Sequence, residues 1–576
     1  MPTHMKKVLS KHAPLLLTLL FGLAVFLFWR FRYPFALTYQ EQLQLFLFDD
    51  DYFLSRMAEP GGLARYVAEF LVQFYNGVTI GALILAVLYM LVQRLTWRLM
   101  RNPLSFIPAI ILWYAMGDES VMLTYVVALV MAMAVALAWS RWGKKWNIRV
   151  KWIVALLLIP ILYWLIGPMV LLVAVLMVPW TVAIPAVIYV AALILASAHF
   201  LPFPMSRVVL GISYYRFPEV LPYWLMAIPV IVWLLALLSG KIQTIPEARK
   251  KWVSAAEFVV VVVAAILMVP RGFDAKKYEL IEYDHLVRVN NWNAIIAKAE
   301  KKMPDLPMSV SATNLALGMT NQLGDRAFDF YQRGTEGLLP KFERNFATTQ
   351  LTGEIYFHLG LVNTAQRFAF EAMEAIPNYN KSARVVKRLA ETNLINGQYE
   401  VARKYLRMLE KTVFYRPWAQ RTMAMLGNEK AINAHPLYGM LRQYRLQEDF
   451  LFSDRELDKI CGLLFMRSQE TGDRSLGVNQ MAAQYLLMMP LLDRDIPRFM
   501  AYVKVVQNRI QYNPRHCQEA IAFAFMQQRQ QPPQGAVSPM VLQQMNDFAR
   551  VYSNDKNSPE LGRFKNTVWY YLVSGL

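Results

Sequence analysis

The run LSFIPAIILWYAMGDESVMLTYVVALVMAMAVALAW, residues 104–139, is apolar except for Asp118-Glu119 near its middle. Arg94, Arg98 and Arg101 precede it, and Arg141, Lys144, Lys145, Arg149 and Lys151 follow it. Both ends therefore carry the basic residues that mark a cytoplasmic border. A single helix of about 36 residues, at ~1.5 Å rise per residue, would reach ~54 Å and far overrun a hydrocarbon core of ~30 Å. The run reads as two membrane spans joined by an outer turn, Gly117-Asp118-Glu119-Ser120.

The same bracketing orders the chain on either side. Lys6, Lys7 and Lys11 precede the apolar run Ala13 to Trp29, which ends in Arg30-Phe31-Arg32-Tyr33 where a cleavage site would need small residues, so an uncleaved first span with a cytoplasmic amino terminus is expected. A second span runs from Gly77 to Val92. The segment from Trp152 to Gly240 closes on Lys241, Arg249, Lys250 and Lys251 and needs an even number of crossings. Gly167-Pro168, Pro179 to Pro185 and Pro202 to Pro204 divide it into four, those around 168–199 being short enough for broken or re-entrant segments instead. Trp252 to Val269 then crosses outward, with Glu257 near its start. The expectation is all-α: about nine spans in residues 1–271 of a bacterial inner membrane, followed by an extracytoplasmic tail.

Composition agrees with a chain partly in lipid, at 56% hydrophobic residues over 576. The net charge is +19, but in the first half the basic residues concentrate at the ends of apolar runs, and no basic stripe interleaved with aromatics appears, so nucleic acid is not an expected partner. The first outer loop, residues 31–75, holds Glu41, Asp49, Asp50, Asp51, Glu59 and Glu69. Three adjacent carboxylates in Leu47-Phe48-Asp49-Asp50-Asp51-Tyr52-Phe53 repel one another and need water, a cation or a cationic partner beside a bilayer. They mark a candidate site, the plain alternative being a solvated loop cap. Leu63, Val67, Phe70 and Leu71 recur at helical spacing and predict an amphipathic helix on the membrane surface. A further outer loop carries Arg207, Tyr214, Tyr215 and Arg216, ending at Glu219. Its arginines suit a lipid phosphate, the alternative being border arginines that snorkel to the headgroups.

From residue 272 the chain is charge-studded and periodic in helical hairpins. Thr352 to Asn378, with Gly353, Tyr356, Gly360, Ala365, Ala372 and Pro377, resembles a tetratricopeptide repeat, and Gly397 and Ala402 repeat Gly360 and Ala365 after 37 residues. Weaker hairpins lie around Asn291 and Gly324. Residues 272–412 are assigned to such hairpins and 413–576 to further helices continuing a solenoid, which implies a peptide or protein partner. Cys461 and Cys517 could pair, but Cys461 reads as core, and His358 reads as a packing residue. Phosphate-loop, dinucleotide, zinc-protease and nucleophile-elbow motifs are absent from the sequence.

With Asp50-Asp51-Tyr52-Phe53 in the first outer loop, Asp118-Glu119 in the next outer turn and a soluble tail, the membrane half resembles the C-type glycosyltransferases, some eukaryotic members of which carry tetratricopeptide repeats in the corresponding place. The whole chain is also similar to a family of bacterial multi-pass proteins with a helical repeat tail. Here three Asp run together, where the glycosyltransferases usually have Asp-Glu or Asp-x-Asp. The resemblance implies a polyprenyl-phosphate sugar donor, with Asp50 as base beside Asp49 and Asp51. Asp118 and Glu119 would position an acceptor or hold Mg²⁺ or Mn²⁺, and Arg207 and Arg216 would face the lipid phosphate. The competing reading is a non-enzymatic membrane-anchored repeat scaffold. A transporter is disfavoured by the lack of ionisable residues deep in the clearest spans.

Overall fold

The computed structural model describes residues 3–217, 220–243, 247–343, 345–377, 380–446, 456–470 and 478–574, and these contain helices and no strand. The chain divides into two compact units, each with its own apolar core. Unit 1 comprises residues 1–278 together with two short segments, 377–383 and 411–416; unit 2 comprises 279–376, 384–410 and 417–576.

Unit 1 contains α1 (Thr3–Leu27), α2 (Pro34–Glu41), α3 (Asp50–Met57), α4 (Gly62–Val72), α5 (Val78–Met100), α6 (Ile107–Ala115), α7 (Leu123–Trp142), α8 (Ile148–Ile166), α9 (Val170–Leu176), α10 (Trp180–Phe200), α11 (Met205–Leu210), α12 (Tyr223–Gln243) and α13 (Glu247–Met268). Among the described residues six helical runs are long and apolar enough to cross a membrane: Ala13–Arg32, Val78–Met100, Leu123–Lys145, Ile148–Leu176, Trp180–Phe200 and Trp252–Gly272. Two shorter apolar helices, Pro103–Ala115 and Tyr223–Ser239, accompany them. The helices α6 and α7 stand on either side of the turn expected within 104–139, but only α7 lies in a run long enough to cross a membrane, and α6 belongs to one of the two shorter helices.

Side-chain contacts give the helix directions. Thr18 donates to Gln93 at 2.8 Å and Gly22 lies against Met90, so α1 and α5 are antiparallel. Trp152, Ala155 and Ile159 meet Val182, Pro185 and Tyr189, while Tyr163 bonds Ser197, so α8 and α10 run in the same direction. Residues 167–179 must therefore run back between them. They do so as a broken segment, in which a 3-10 turn (Gly167–Met169) and an extended stretch flank the short α9.

The helix predicted around Leu63 to Leu71 exists as α4, but it does not lie on a surface with its polar face in water. Ala64, Arg65, Ala68, Glu69 and Val72 form its buried side, and the nominally apolar positions Leu63, Val67, Phe70 and Leu71 are only half-buried. Two small residues allow close approach to α7 and α8, and the buried charges neutralise one another.

Unit 2 contains α14 (Ala275–Arg288, entering from unit 1), α15 (Trp292–Lys301), α16 (Pro307–Met319), α17 (Leu323–Arg326), α18 (Phe346–Leu359), α19 (Val362–Glu374), α20 (Ala383–Ile395), α21 (Tyr399–Glu410), α22 (Arg416–Met423), α23 (Glu429–Ala434), α24 (Pro436–Tyr444), α25 (Leu457–Glu470), α26 (Gln480–Leu492), α27 (Ile496–Gln507), α28 (Arg515–Gln527), α29 (Pro539–Asn554) and α30 (Val568–Val573). Its hairpins share one turn. At Gly360 (φ +98°) the helix ends in a left-handed residue, whose N–H bonds Phe357 O while Leu361 N–H bonds Tyr356 O. The identical pair of bonds recurs with positive φ at Asn290, Asn321, Gly397, Arg494 and Arg529. This is the arrangement that satisfies the last carbonyls of a helix while reversing the chain. Glycine adopts it without strain, and an added Cβ at Gly360 would also press on Tyr444. Cys461 and Cys517 are free thiols, both buried.

A buried ionic seam ties α14, α18, α20 and α24. Arg384 bonds both Asp284 oxygens at 2.8 and 3.0 Å, Arg388 holds Glu354 at 2.6 Å and Glu391 at 2.9 Å, and Tyr438 donates to Glu391 at 3.2 Å. His358 lies within it, edge-on to Trp292 and 3.7 Å from Glu354. Burial pushes its imidazole down to about 4. The unfolded chain then binds a proton below about 6.5 that the folded chain refuses until about 4, so stability falls as pH drops through that window, by about 3 kcal/mol at its foot. Thermal unfolding of the full chain in detergent is expected to show this loss, and His358→Gln to remove about one proton from the slope.

Candidate functional site

The turn 116–122 and the loop 211–217 are sewn together by backbone. Met122 N–H bonds Tyr214 O at 3.0 Å, Arg216 N–H bonds Ser120 O at 2.9 Å, and Val121 and Tyr215 form an isolated antiparallel bridge. The close approach of backbone at the turn's entry requires glycine, because a Cβ on Gly117 would collide with the Gly272 carbonyl. This pairing brings four of the sequence-predicted site residues together. Tyr215 donates to Asp118 Oδ2 at 2.7 Å, while Asp118 Oδ1 accepts Ser120 N–H at 2.8 Å. Glu119 pairs with Lys277 through its carboxylate and accepts Arg216 through its backbone carbonyl.

Arg216 is 4% exposed, and its Nε is buried with no hydrogen-bond partner. Burial lowers its guanidinium to about 10, against the pull of Glu119, Tyr39 and Asp118. It is a cation taken from water without a carboxylate in direct contact among the described residues, a condition that favours a nearby anion. Burial and then Asp118 push the Tyr215 hydroxyl above its ordinary value, so it stays a proton donor to that carboxylate at neutral pH.

Below the turn lies an apolar cavity of about 420 Å³ between α7, α9, α11 and α12. Tyr125, Met169, Tyr214, Tyr215 and Leu225 line its upper part, and Val175, Val230 and Trp233 the other end. Tyr214, expected at a lipid phosphate, is instead committed to the backbone: its hydroxyl donates to Ile166 O and accepts Met169 N–H at 3.3 Å. These are the groups freed where α8 breaks. Arg207 caps its own loop, reaching Ile212 O at 3.4 Å and lying over Phe203. Glu219 lies outside the described residues.

The acidic run sits at the start of α3. Asp49 pairs with Lys411 of the same unit at 2.9 Å, while Asp50 and Asp51 are exposed. No hydrogen bond or ion pair among the described residues joins these three to Asp118 or Glu119, so the expected meeting of the two acidic groups is not built by contact. The two carboxylates at 118 and 119 are each engaged elsewhere, and no group of three His, Cys, Asp or Glu side chains able to hold a metal occurs among the described residues. The ligand set expected for Mg²⁺ or Mn²⁺ is therefore not assembled by these residues.

Sequence reading overlooked the buried carboxylate of the first loop. Glu69 accepts from Tyr52 at 2.5 Å, Arg56 at 2.7 Å and Arg65 at 3.0 Å; Arg65 also holds Glu59 at 2.8 Å and Asn380 at 3.0 Å. Burial raises the carboxyl of Glu69, but Arg65 and Arg56 outweigh it and hold it below its usual value. The available signal was the i, i+4 pair Arg65 and Glu69 inside an apolar period.

These features define a class: a multi-helix protein with membrane-length apolar helices, a polar turn at the rim of an apolar cavity, and a second unit of helical hairpins. The chain belongs to the family of unknown function DUF6057, whose match spans residues 10–575. No curated protein and no solved structure matches it.

Glu69→Ala would strand two arginines out of water, and is expected to cost about 3–5 kcal/mol. Asp50→Asn, at an exposed carboxylate, is expected to stay within about 0.5 kcal/mol of the parent. Thermal denaturation in detergent micelles compares the two.

Proposed function

We propose that this chain is a membrane-embedded transferase of the glycosyltransferase type, moving a sugar from a lipid-phosphate carrier to an acceptor at the extracytoplasmic face. One observation carries the reading: Tyr215 is at once a wall of the apolar cavity and the hydrogen-bond donor to Asp118. A lipid whose chain entered that cavity would present its head to Asp118 and Arg216. In this geometry the base is Asp118 rather than Asp50. Each Asp118 oxygen has one partner and keeps a lone pair for an acceptor hydroxyl, and Arg216 would offset the charge of the departing phosphate.

In the topology that goes with this reading, the chain makes nine traverses from a cytoplasmic amino terminus. The run 167–179 is a broken traverse, and unit 2 lies outside as a tetratricopeptide-like array in the inner-membrane envelope. The parallel course of α8 and α10 supports the extra traverse. The six identical hairpin turns of unit 2 favour a second role, as a surface for a peptide or protein partner.

Membranes carrying the full chain, supplied with polyprenyl-phosphate sugars, are expected to glycosylate an envelope acceptor. Asp118→Asn should lower that rate by about 10²–10⁴ and Asp50→Asn much less. Unchanged envelope glycans in a folded Asp118→Asn strain would refute the enzyme. Rescue of a deletion by unit 2 on an unrelated anchor would establish the scaffold.

A further inference from the structure

The cavity has a floor. Along α12 its lining runs Leu225, Met226, Pro229, Val230 and Trp233, which at ~1.5 Å per residue is a depth of ~12 Å. On α9 it runs from Met169 to Val175 in the same direction, since Met169 N–H and the Tyr214 hydroxyl mark the upper level of both walls. Trp233 stands at the deep end, edge-on to Trp180 at 6.5 Å, and its buried indole N–H has no partner. Val209, Met226 and Val230 line the cavity yet are exposed, so it opens sideways onto the surface that apolar helices present to lipid.

We infer that Trp233 is the floor of a site for one aliphatic chain of an anionic lipid, and that it sets how much of that chain the protein takes up. The inference rests on the lipid-linked substrate proposed above and adds the selection of chain number and length. The volume decides the first point. A cavity of about 420 Å³ and ~12 Å deep is of the size for one chain of farnesyl length, and a second tail would lie along its lipid-facing opening. The rim decides the head: the buried Arg216, whose Nε has no hydrogen-bond partner, offers the cation for an anion beside Tyr215, whose own proton is given to Asp118. Trp233 decides the length, because a chain that reaches the indole can go deeper only by displacing it.

The test uses the full chain in detergent micelles and a photoreactive farnesyl phosphate, with farnesyl phosphate, geranylgeranyl phosphate and dipalmitoyl phosphatidic acid as competitors. Labelling is expected on α9 and α12, competed by single-chain phosphates and poorly by phosphatidic acid. Each additional methylene buried is worth roughly fourfold in affinity, so Trp233→Ala should shift preference toward geranylgeranyl phosphate by about tenfold or more. Val230→Trp should fill the shaft and abolish labelling. Equal competition by phosphatidic acid, an unchanged chain preference in Trp233→Ala, or full labelling of Val230→Trp would each overturn the inference. Should Trp233→Ala fail gel filtration as a folded species, Val230→Trp and Met226→Trp decide alone. Labelling that follows these rules in a protein without sugar transfer would sink the transferase and leave the chain site standing. Transfer with no labelling of α9 and α12 would do the reverse.

Discussion

Away from water, a backbone N–H or carbonyl must find a partner within the protein, and that requirement organises unit 1. Where α8 ends at Ile166 and the chain turns back, a carbonyl and an amide are released from helical bonding. The Tyr214 hydroxyl takes both. Because that ring is thereby fixed, the loop that carries it is fixed, and its neighbours Tyr215 and Arg216 are delivered to the 116–122 turn. The polar rim and the apolar shaft beneath it are consequences of one broken helix and the side chain that repairs it.

Charge in this molecule is handled by pairing at depth. Glu69 between Arg56 and Arg65, and the seam of Asp284, Arg384, Glu354, Arg388 and Glu391, each place several ions out of water with their oxygens and guanidinium forks engaged. Such clusters add little net stability over an apolar core, but the loss of one member is costly, so they specify which helices meet. Arg216 departs from this pattern. Its fork reaches only a backbone carbonyl, and the imbalance sets the candidate site apart from the structural clusters.

Helix-scale features were readable from residue order, because apolar run length and flanking arginines and lysines report directly on lipid and water. Residues 104–139 are interrupted at Gly117 where that bracketing put a turn, although the helix before it is shorter than a membrane span. Two hairpin turns in unit 2 were also readable, through Gly360 and Gly397. Those at Asn290 and Asn321 fall beside the weaker hairpins read around Asn291 and Gly324, and two more use Arg494 and Arg529 in the same left-handed conformation, where the residue type gives no notice. The site was half legible: Asp118 and Glu119 stood out as charge in an apolar run. The partner of Asp118 lies 97 residues away, brought in by main-chain bonds that leave no mark on composition. Residues 49–51, more conspicuous as a string, turned out to begin a short solvent-facing helix. Arg65 and Glu69 misled for the opposite reason, since a charged face is taken to be wet unless its counter-ions can be foreseen.

Unit 1 is not one continuous stretch of polypeptide. Asn380 and Lys411, which arrive from more than a hundred residues beyond its last membrane-length helix, complete the shells of Arg65 and Asp49. A gene fragment stopped at residue 278 would thus encode all six membrane-length helices found among the described residues and still lack two of the clasps around the first loop. For anyone dissecting this family by deletion, inactivity of such a fragment says nothing about where its chemistry resides.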